Sequence, residues 1–224
     1  MRKFLFLKGL LMTNFIPIFP LGIVLYPGEE LNLHIFEPRY KQLIKDCVEN
    51  NKAFGIPAVV DKRMKDFGTL TEIKSIERID KNGEMDIRTE GKEVFRILEV
   101  IKEVPDKLYS GAIVNYPHNY NTGIPKLMQK IVESIRELHR MLNVVKPFPK
   151  PDKELNTYDV AHHIGLTLDE EYELLGLMNE KQRQEYLKRH LAKVIPMVAE
   201  MEHLKEKVKL NGHFKNLEGF DLNV

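Results

Sequence analysis

The chain has few of the residues that hydrolases use for covalent catalysis. It contains one cysteine, Cys47, which excludes an internal disulfide. Its only serines are Ser75, Ser110 and Ser134, and none stands in the Gly-x-Ser-x-Gly turn that exposes a nucleophile. An activated nucleophile also needs a base within reach, and no base is found at local spacing from these serines. The sequence therefore does not favour a serine or cysteine hydrolase.

Motifs for phosphate and metal binding are also missing. A phosphate-binding loop reads Gly-x4-Gly-Lys-Ser/Thr, whereas the only Gly-Lys pair, Gly91-Lys92, is followed by glutamate. His162 and His163 are adjacent, so on a helix their side chains point about 100° apart and do not easily share one ion. Paired Cys-x-x-Cys and His-Glu-x-x-His motifs are absent. We expect no cofactor and no metal, with one of these histidines partly buried and the other solvated.

Charge and hydropathy disfavour two classes of partner. No run of about 18 apolar residues is present, so no membrane span is expected. The formal net charge is +1, and residues 13–117 carry 15 basic and 17 acidic side chains. Nucleic-acid binding requires clustered lysine and arginine, which this balance does not indicate. With one cysteine, the composition fits a reducing compartment, and we expect a cytoplasmic protein.

Residues 1–12 stand apart from the rest of the chain. Arg2, Lys3 and Lys8 are interspersed with apolar residues, and Lys8 makes the apolar run too short for a signal peptide. Two interpretations remain open: an N-terminal arm, or an upstream start codon misassigned in place of Met12.

Short strands and turns dominate residues 13–117. Pro27-Gly28 ends an apolar run, and an alternation of apolar and polar residues follows it. Pro38 suits the first turn of a helix, whose apolar face would comprise Tyr40, Leu43, Ile44 and Cys47. Asp61–Asp66 is predicted to be a charged loop that could contact a partner, and Asp80–Gly83 a hairpin turn built on Asn-Gly. Six or seven strands with one helix predict a barrel-like sheet.

Beyond the boundary at Pro117–Pro125 the apolar period changes from two to about 3.6. Asn156 or Thr157, and then Thr167 with Glu170, are predicted helix caps. The last helix is expected over Glu180–Leu210, with Pro196 kinking or splitting it. The pattern predicts a four-helix subdomain over residues 118–210, followed by a polar tail over 211–224.

Six motifs follow one another along the chain: FPLG-x-VLYPG at 19–28, IFEPRY at 35–40, Phe54-Gly55-Ile56, Gly68–Ile73, Gly91–Ile97 and Tyr109–Ala112. Their order resembles the N-terminal substrate-binding domain of ATP-dependent Lon proteases, a module that also occurs alone in small bacterial proteins and within cereblon. Val94 departs from the pattern, because arginine is usual there. The resemblance implies an α+β fold, a PUA-like β pseudo-barrel followed by helices.

The same resemblance implies a non-catalytic module that binds unfolded or exposed polypeptide, with a separate protease as one further partner. Burial of apolar side chains in a groove, aided by an exposed sheet edge, would be the mechanism. Two alternatives stay open: an RNA-binding PUA-like protein, and a small-molecule-binding protein or enzyme with an unrecognised pocket. A homodimer is a further option, for which the long terminal helix and the apolar N-terminal arm are the candidate surfaces. No binding residue is assigned.

Glu37 and Arg39 are the charged residues most prominent within the motifs. They could clamp a charged ligand. The structural interpretation, which we favour, is that Glu37 interacts with the helix dipole while Arg39 pairs with an acid in the barrel.

Overall fold

The computed structural model describes residues 14–215, with side chains as far as Lys209. The predictions for residues 1–12 lie outside the described residues, as does 216–224 of the predicted polar tail. The described chain divides into two compact units. One comprises its residues up to Thr122 together with Leu166–Glu180, and the other comprises Gly123–Gly165 and the residues from Lys181 onward.

The first unit is built on an antiparallel sheet, and within residues 14–215 its strands number six. In spatial order they run β1-β6-β5-β4-β3, while β2 pairs with the first part of β5. After β1 the chain forms parallel bridges to β3 at Ile18↔Gly55 and Leu21↔Ala58. The sheet therefore closes on itself, as expected for a pseudo-barrel. The strands are β1 (Asn14–Pro17), β2 (Glu30–Ile35), β3 (Phe54–Val60), β4 (Arg63–Ile79), β5 (Met85–Ile101) and β6 (Gly111–Asn115).

The turn between β3 and β4 differs from the sequence prediction. Asp61 and Lys62 have φ values of 50° and 61°, as in a two-residue hairpin turn. Val60 pairs with Arg63 directly across it. The predicted loop at Asp61–Asp66 is therefore wrong in extent, because pairing of the main chain with β3 outweighs the charge of the side chains.

The hairpin turn predicted at Asp80–Gly83 is confirmed, and it joins β4 to β5. The Asp80 carboxylate accepts hydrogen bonds from the backbone N–H groups of Asn82 and Glu84, both at 2.8 Å. Gly83 has a φ of +73°, a conformation that favours glycine.

Helix α1 (Pro38–Glu49) packs into the first unit through the predicted face of Tyr40, Leu43, Ile44 and Cys47. Its first helical residue is Pro38, as predicted. The remaining buried members of this core cluster are Phe19, Leu25, Ile35, Phe54, Ile56, Met85, Ile87 and Tyr109.

The described helices after the sheet are α2 (Pro125–Met141), α3 (Thr157–Val160), α4 (Leu168–Leu175) and α5 (Glu180–Lys215). Capping boxes begin α3 at Asn156 and α4 at Thr167, which confirms both predicted caps. Helix α5 runs through Pro196 without interruption, so the predicted split does not occur. Helix α4 groups with the sheet; the boundaries predicted at 117/118 and 210/211 stay a prediction. Within residues 14–215, no helix is both long and apolar enough to cross a membrane.

Candidate functional site

The second half of β4 has one unpaired edge. The β3–β4 ladder ends at the pair Phe54↔Thr71. From Glu72 to Ile79, β4 pairs with β5 alone among the described strands. A row of main-chain N–H and C=O groups is therefore open to a further strand along this edge.

A groove of about 530 Å³ lies beside this edge. One wall is the end of α1, where the N–H of Asn51 donates to the Val48 carbonyl at 3.2 Å and the N–H of Lys52 donates to the Cys47 carbonyl at 2.8 Å. These bonds close the helix and hold its last turn in place. We call this feature the β4 groove; it is lined by Cys47, Val48, Asn51, Lys52, Ala53 and Glu72–Ile76.

The β4 groove presents apolar side chains that are accessible to solvent. Val48 is 47% exposed and Ile76 is 37% exposed, while Ile73 is half-buried and packs against the core cluster. Two of the charged residues that line the groove are paired: Lys74 bonds to Glu90 at 2.8 Å, and Glu72 lies 3.3 Å from Lys92. The arrangement suits an extended segment that carries apolar side chains.

Cys47 lies buried at the groove, and its chemistry is that of a packed apolar residue. Burial, reinforced by the nearby Asp46 carboxylate, raises the pKa of the thiol to about 12. The thiolate is the nucleophilic form, so the native thiol is unreactive at neutral pH.

We expect Ellman's reagent to leave native Cys47 unmodified at pH 8 over the time in which a free thiol reacts fully. The physical reason is the combination of burial and raised pKa. In concentrated urea the same reagent should titrate one thiol per chain. Rapid reaction of the folded protein would contradict this assignment.

A second cavity, of about 390 Å³, lies on the outer face of the sheet and includes His34 and Asp86. Nδ1 of His34 lies 2.7 Å from the Asp86 carboxylate, and its Nε2 lies 3.5 Å from Glu84. The hydrogen bond to Asp86 raises the pKa of His34. These groups are solvent-exposed and engaged with one another, so they form a surface network.

Glu37 and Arg39 interact locally. The Arg39 guanidinium donates to the Glu37 carboxylate at 2.7 and 2.9 Å and lies 4.5 Å above the centre of the Tyr40 ring. The prediction that Arg39 pairs with an acid in the barrel is therefore wrong, because Glu37, two residues away in the chain, is nearer. Glu37 is the N-cap residue of α1, and its side chain makes no capping bond.

Ser75, Ser110 and the two histidines considered for catalysis or metal binding are engaged in separate local contacts. The Ser75 hydroxyl donates to Glu77, and that of Ser110 donates to the Lys102 carbonyl at 3.0 Å. His162 and His163 are both half-buried, so the expectation that one is solvated is wrong. Burial is the main reason why the pKa of His163 falls to about 4.

A cleft of about 330 Å³ in the helical unit is lined by several basic residues. Arg136 pairs with Asp152, and Lys150 pairs with Asp159, each at 2.7 Å. The charges of these two bases are therefore compensated, which weakens the cleft as a phosphate-binding surface.

Sequence reasoning did not find the β4 groove, because its walls come from a helix and from a strand distant in the chain. The one available signal was Val48, an apolar residue that follows Cys47 and lies off the predicted apolar face of α1.

Three comparisons bear on the family. The model described as the ATP-dependent protease La (LON) substrate-binding domain matches residues 16–193. The Lon N-terminal domain protein from Xanthomonas campestris is 24% identical with a TM-score of 0.61, over 79% of this chain and 98% of that chain. The N-terminal domain of Mycobacterium avium complex Lon protease is 13% identical with a TM-score of 0.56, over 80% of this chain and 98% of that chain. At these identities the two structures establish likeness of fold.

A curated relative matches a shorter stretch. Protein cereblon from Gallus gallus is 26% identical over 90 residues, which is 38% of this chain. The match spans 20% of the length of cereblon.

Proposed function

Because this chain belongs to the family of ATP-dependent protease La (LON) substrate-binding domains, we propose that it is a non-catalytic module that binds polypeptide in the β4 groove. The observation that carries the proposal is the unpaired edge of β4 from Glu72 to Ile79 beside exposed apolar side chains. An extended segment added to this edge would satisfy the open main-chain groups.

The geometry supports recognition without a strict sequence. Main-chain hydrogen bonds are common to all polypeptides, and successive side chains of a strand point to opposite faces. Every second side chain of the added segment would therefore face Val48, Ile73 and Ile76. Such a site selects apolar residues at alternate positions in a segment that is free to extend, as in unfolded protein.

We propose that the module works in the cytoplasm and presents such segments to a separate protease. The absence of a phosphate-binding loop and of a serine nucleophile motif from these 224 residues supports a binding role. The balanced charge favours polypeptide over RNA as the partner.

Replacing Val48 or Ile76 by lysine should weaken binding of a fluorescent unfolded casein about tenfold in each case, because each change removes an apolar contact worth about 1.5 kcal/mol. Fluorescence anisotropy of the labelled casein at low and physiological salt measures the effect. Wild-type binding should survive the higher salt.

Leu98→Lys supplies the matched control. Leu98 is half-exposed on the part of β5 that pairs with β6, away from the residues that line the groove. Its replacement should leave casein binding within twofold of wild type. Equal loss in all three variants would reject the β4 groove as the site. Salt-sensitive binding of labelled single-stranded RNA without casein binding would reject the polypeptide function.

A further inference from the structure

The outer half of α5 carries an apolar stripe that no described residue covers. Leu187 and Leu191 are buried. Farther along the helix, four large apolar residues are between 54% and 69% exposed. These residues are Met197, Met201, Leu204 and Val208.

The spacing of this stripe is that of a coiled-coil seam. Together with the half-buried Val194, the four residues follow intervals of three, four, three and four. This places Val194, Met201 and Val208 at a positions and the other two at d positions of a heptad repeat. A single surface helix shielding a globular core needs a wider apolar face.

We propose that this stripe is a self-association surface, on which α5 of a second copy of the chain packs to form a two-stranded coiled coil. The same chain supplies a partner with an identical seam, so each knob finds an apolar hole. This surface is separate from the β4 groove, and the inference does not depend on the proposed function.

Charges beside the stripe are complementary to a second copy. Glu200 is at a g position, Lys205 at an e position and Lys207 at the next g position. In a parallel pair, Glu200 of one helix faces Lys205 of the other. In an antiparallel pair that matches Met201 with Leu204, Glu200 faces Lys207. In both directions two opposite-charge pairs form by symmetry.

The size of the surface suggests a weak dimer. Two such stripes would bury roughly 1,000 Å² in total, at the lower end of specific interfaces, where weak and transient complexes lie. We therefore expect a Kd on the order of 10 μM, although area alone does not determine affinity. The chain should therefore interconvert between monomer and dimer in the micromolar range.

Sedimentation equilibrium of the full chain at up to about 200 μM, well above the expected Kd, tests the proposal. The wild type should dimerise, and the double variant Met201→Lys with Leu204→Lys should raise the Kd at least a hundredfold. Ala199→Lys is the control, since Ala199 is exposed at an f position opposite the stripe; it should stay within twofold. A monomeric wild type, or a dimer indifferent to the double variant, would overturn the proposal.

Charge reversal adds a readout that loss of helical structure would not imitate. Glu200→Lys should weaken the dimer about fivefold, because like charges then face each other across the seam. Adding Lys205→Glu should restore it if the helices are parallel, and adding Lys207→Glu if they are antiparallel. Failure of both to restore the dimer would reject the proposed packing.

Discussion

Replacing Gly68 by alanine is expected to lower the free energy of unfolding by about 3 kcal/mol. A Cβ at this position would lie 2.5 Å from the Ile56 carbonyl oxygen and 2.6 Å from the Cα of Pro57, both on the paired strand β3. It would also lie 2.6 Å from the Phe95 ring. Because two of these contacts are backbone, relief requires β3 to move away from β4. Urea unfolding followed by far-UV circular dichroism measures the change.

Gly55 offers an internal comparison, because its close neighbours are side chains. A Cβ there would lie 2.7 Å from the Ile16 methyl group and 2.8 Å from the Phe95 ring. Gly55→Ala should therefore cost much less in a Phe95→Leu background than in the wild type, whereas Gly68→Ala should keep most of its cost there.

Gly22→Ala is the control for glycine replacement itself. The nearest atom to its Cβ would be the Val59 carbonyl oxygen at 4.0 Å, an ordinary contact. We expect a change within about 0.5 kcal/mol. If Gly68→Ala were equally mild, the close approach of β3 and β4 would not be what requires glycine at that position.

Replacing Arg183 by methionine is expected to cost the helical unit about 3 kcal/mol. Arg183 is fully buried. Its Nε donates to the Thr157 hydroxyl at 3.1 Å, and its guanidinium lies 4.1 Å above the centre of the Tyr158 ring. Methionine fills part of the space but provides neither the hydrogen bond nor the cation–π contact. The chain has no tryptophan, so far-UV circular dichroism is again the probe.

A second variant separates charge from geometry at this position, and a variant at Arg189 serves as the control. Arg183→Lys keeps the positive charge but loses the planar group that stacks on Tyr158, so an intermediate loss is expected. Arg189→Met is the matched control: Arg189 is exposed on the same helix and bonds to the Glu185 carbonyl, and its loss should cost less than about 0.5 kcal/mol. A loss at Arg183 no greater than at Arg189 would contradict the structural role assigned to the buried guanidinium.

The motif positions that carry the family resemblance are explained by packing. Phe95 is fully buried, and the space that its ring occupies exists because residues 55 and 68 have no side chain. Three motifs distant in the chain therefore describe one close contact inside the barrel. This accounts for a signature that is specific for the fold while it names no binding residue.

Features that depend on neighbours in the chain could be predicted from the sequence. The hairpin at Asp80–Gly83, the capping box from Thr167 to Glu170 and the buried face of α1 each use residues a few positions apart. Their hydrogen bonds and periodicity form within one element, so the local sequence contains the physical information that determines them. The strand pattern predicted a barrel-like sheet, and the family resemblance implied its PUA-like form. The parallel bridges to β3 that follow β1 bear out the barrel.

Features that depend on contacts across the fold were decided by the tertiary structure. Arg63 and Met64 are strand because Val60 and Val59 of β3 pair with them, although the composition of this segment favours a loop. Arg183 is buried because its guanidinium contacts Thr157 and Tyr158. From the sequence alone, a single arginine in a helical pattern is expected to be solvated. The β4 groove exists because β3 stops pairing at Thr71 while β4 continues to Ile79. Sequence by itself determined the elements and their order; packing between distant residues determined which surfaces stay open.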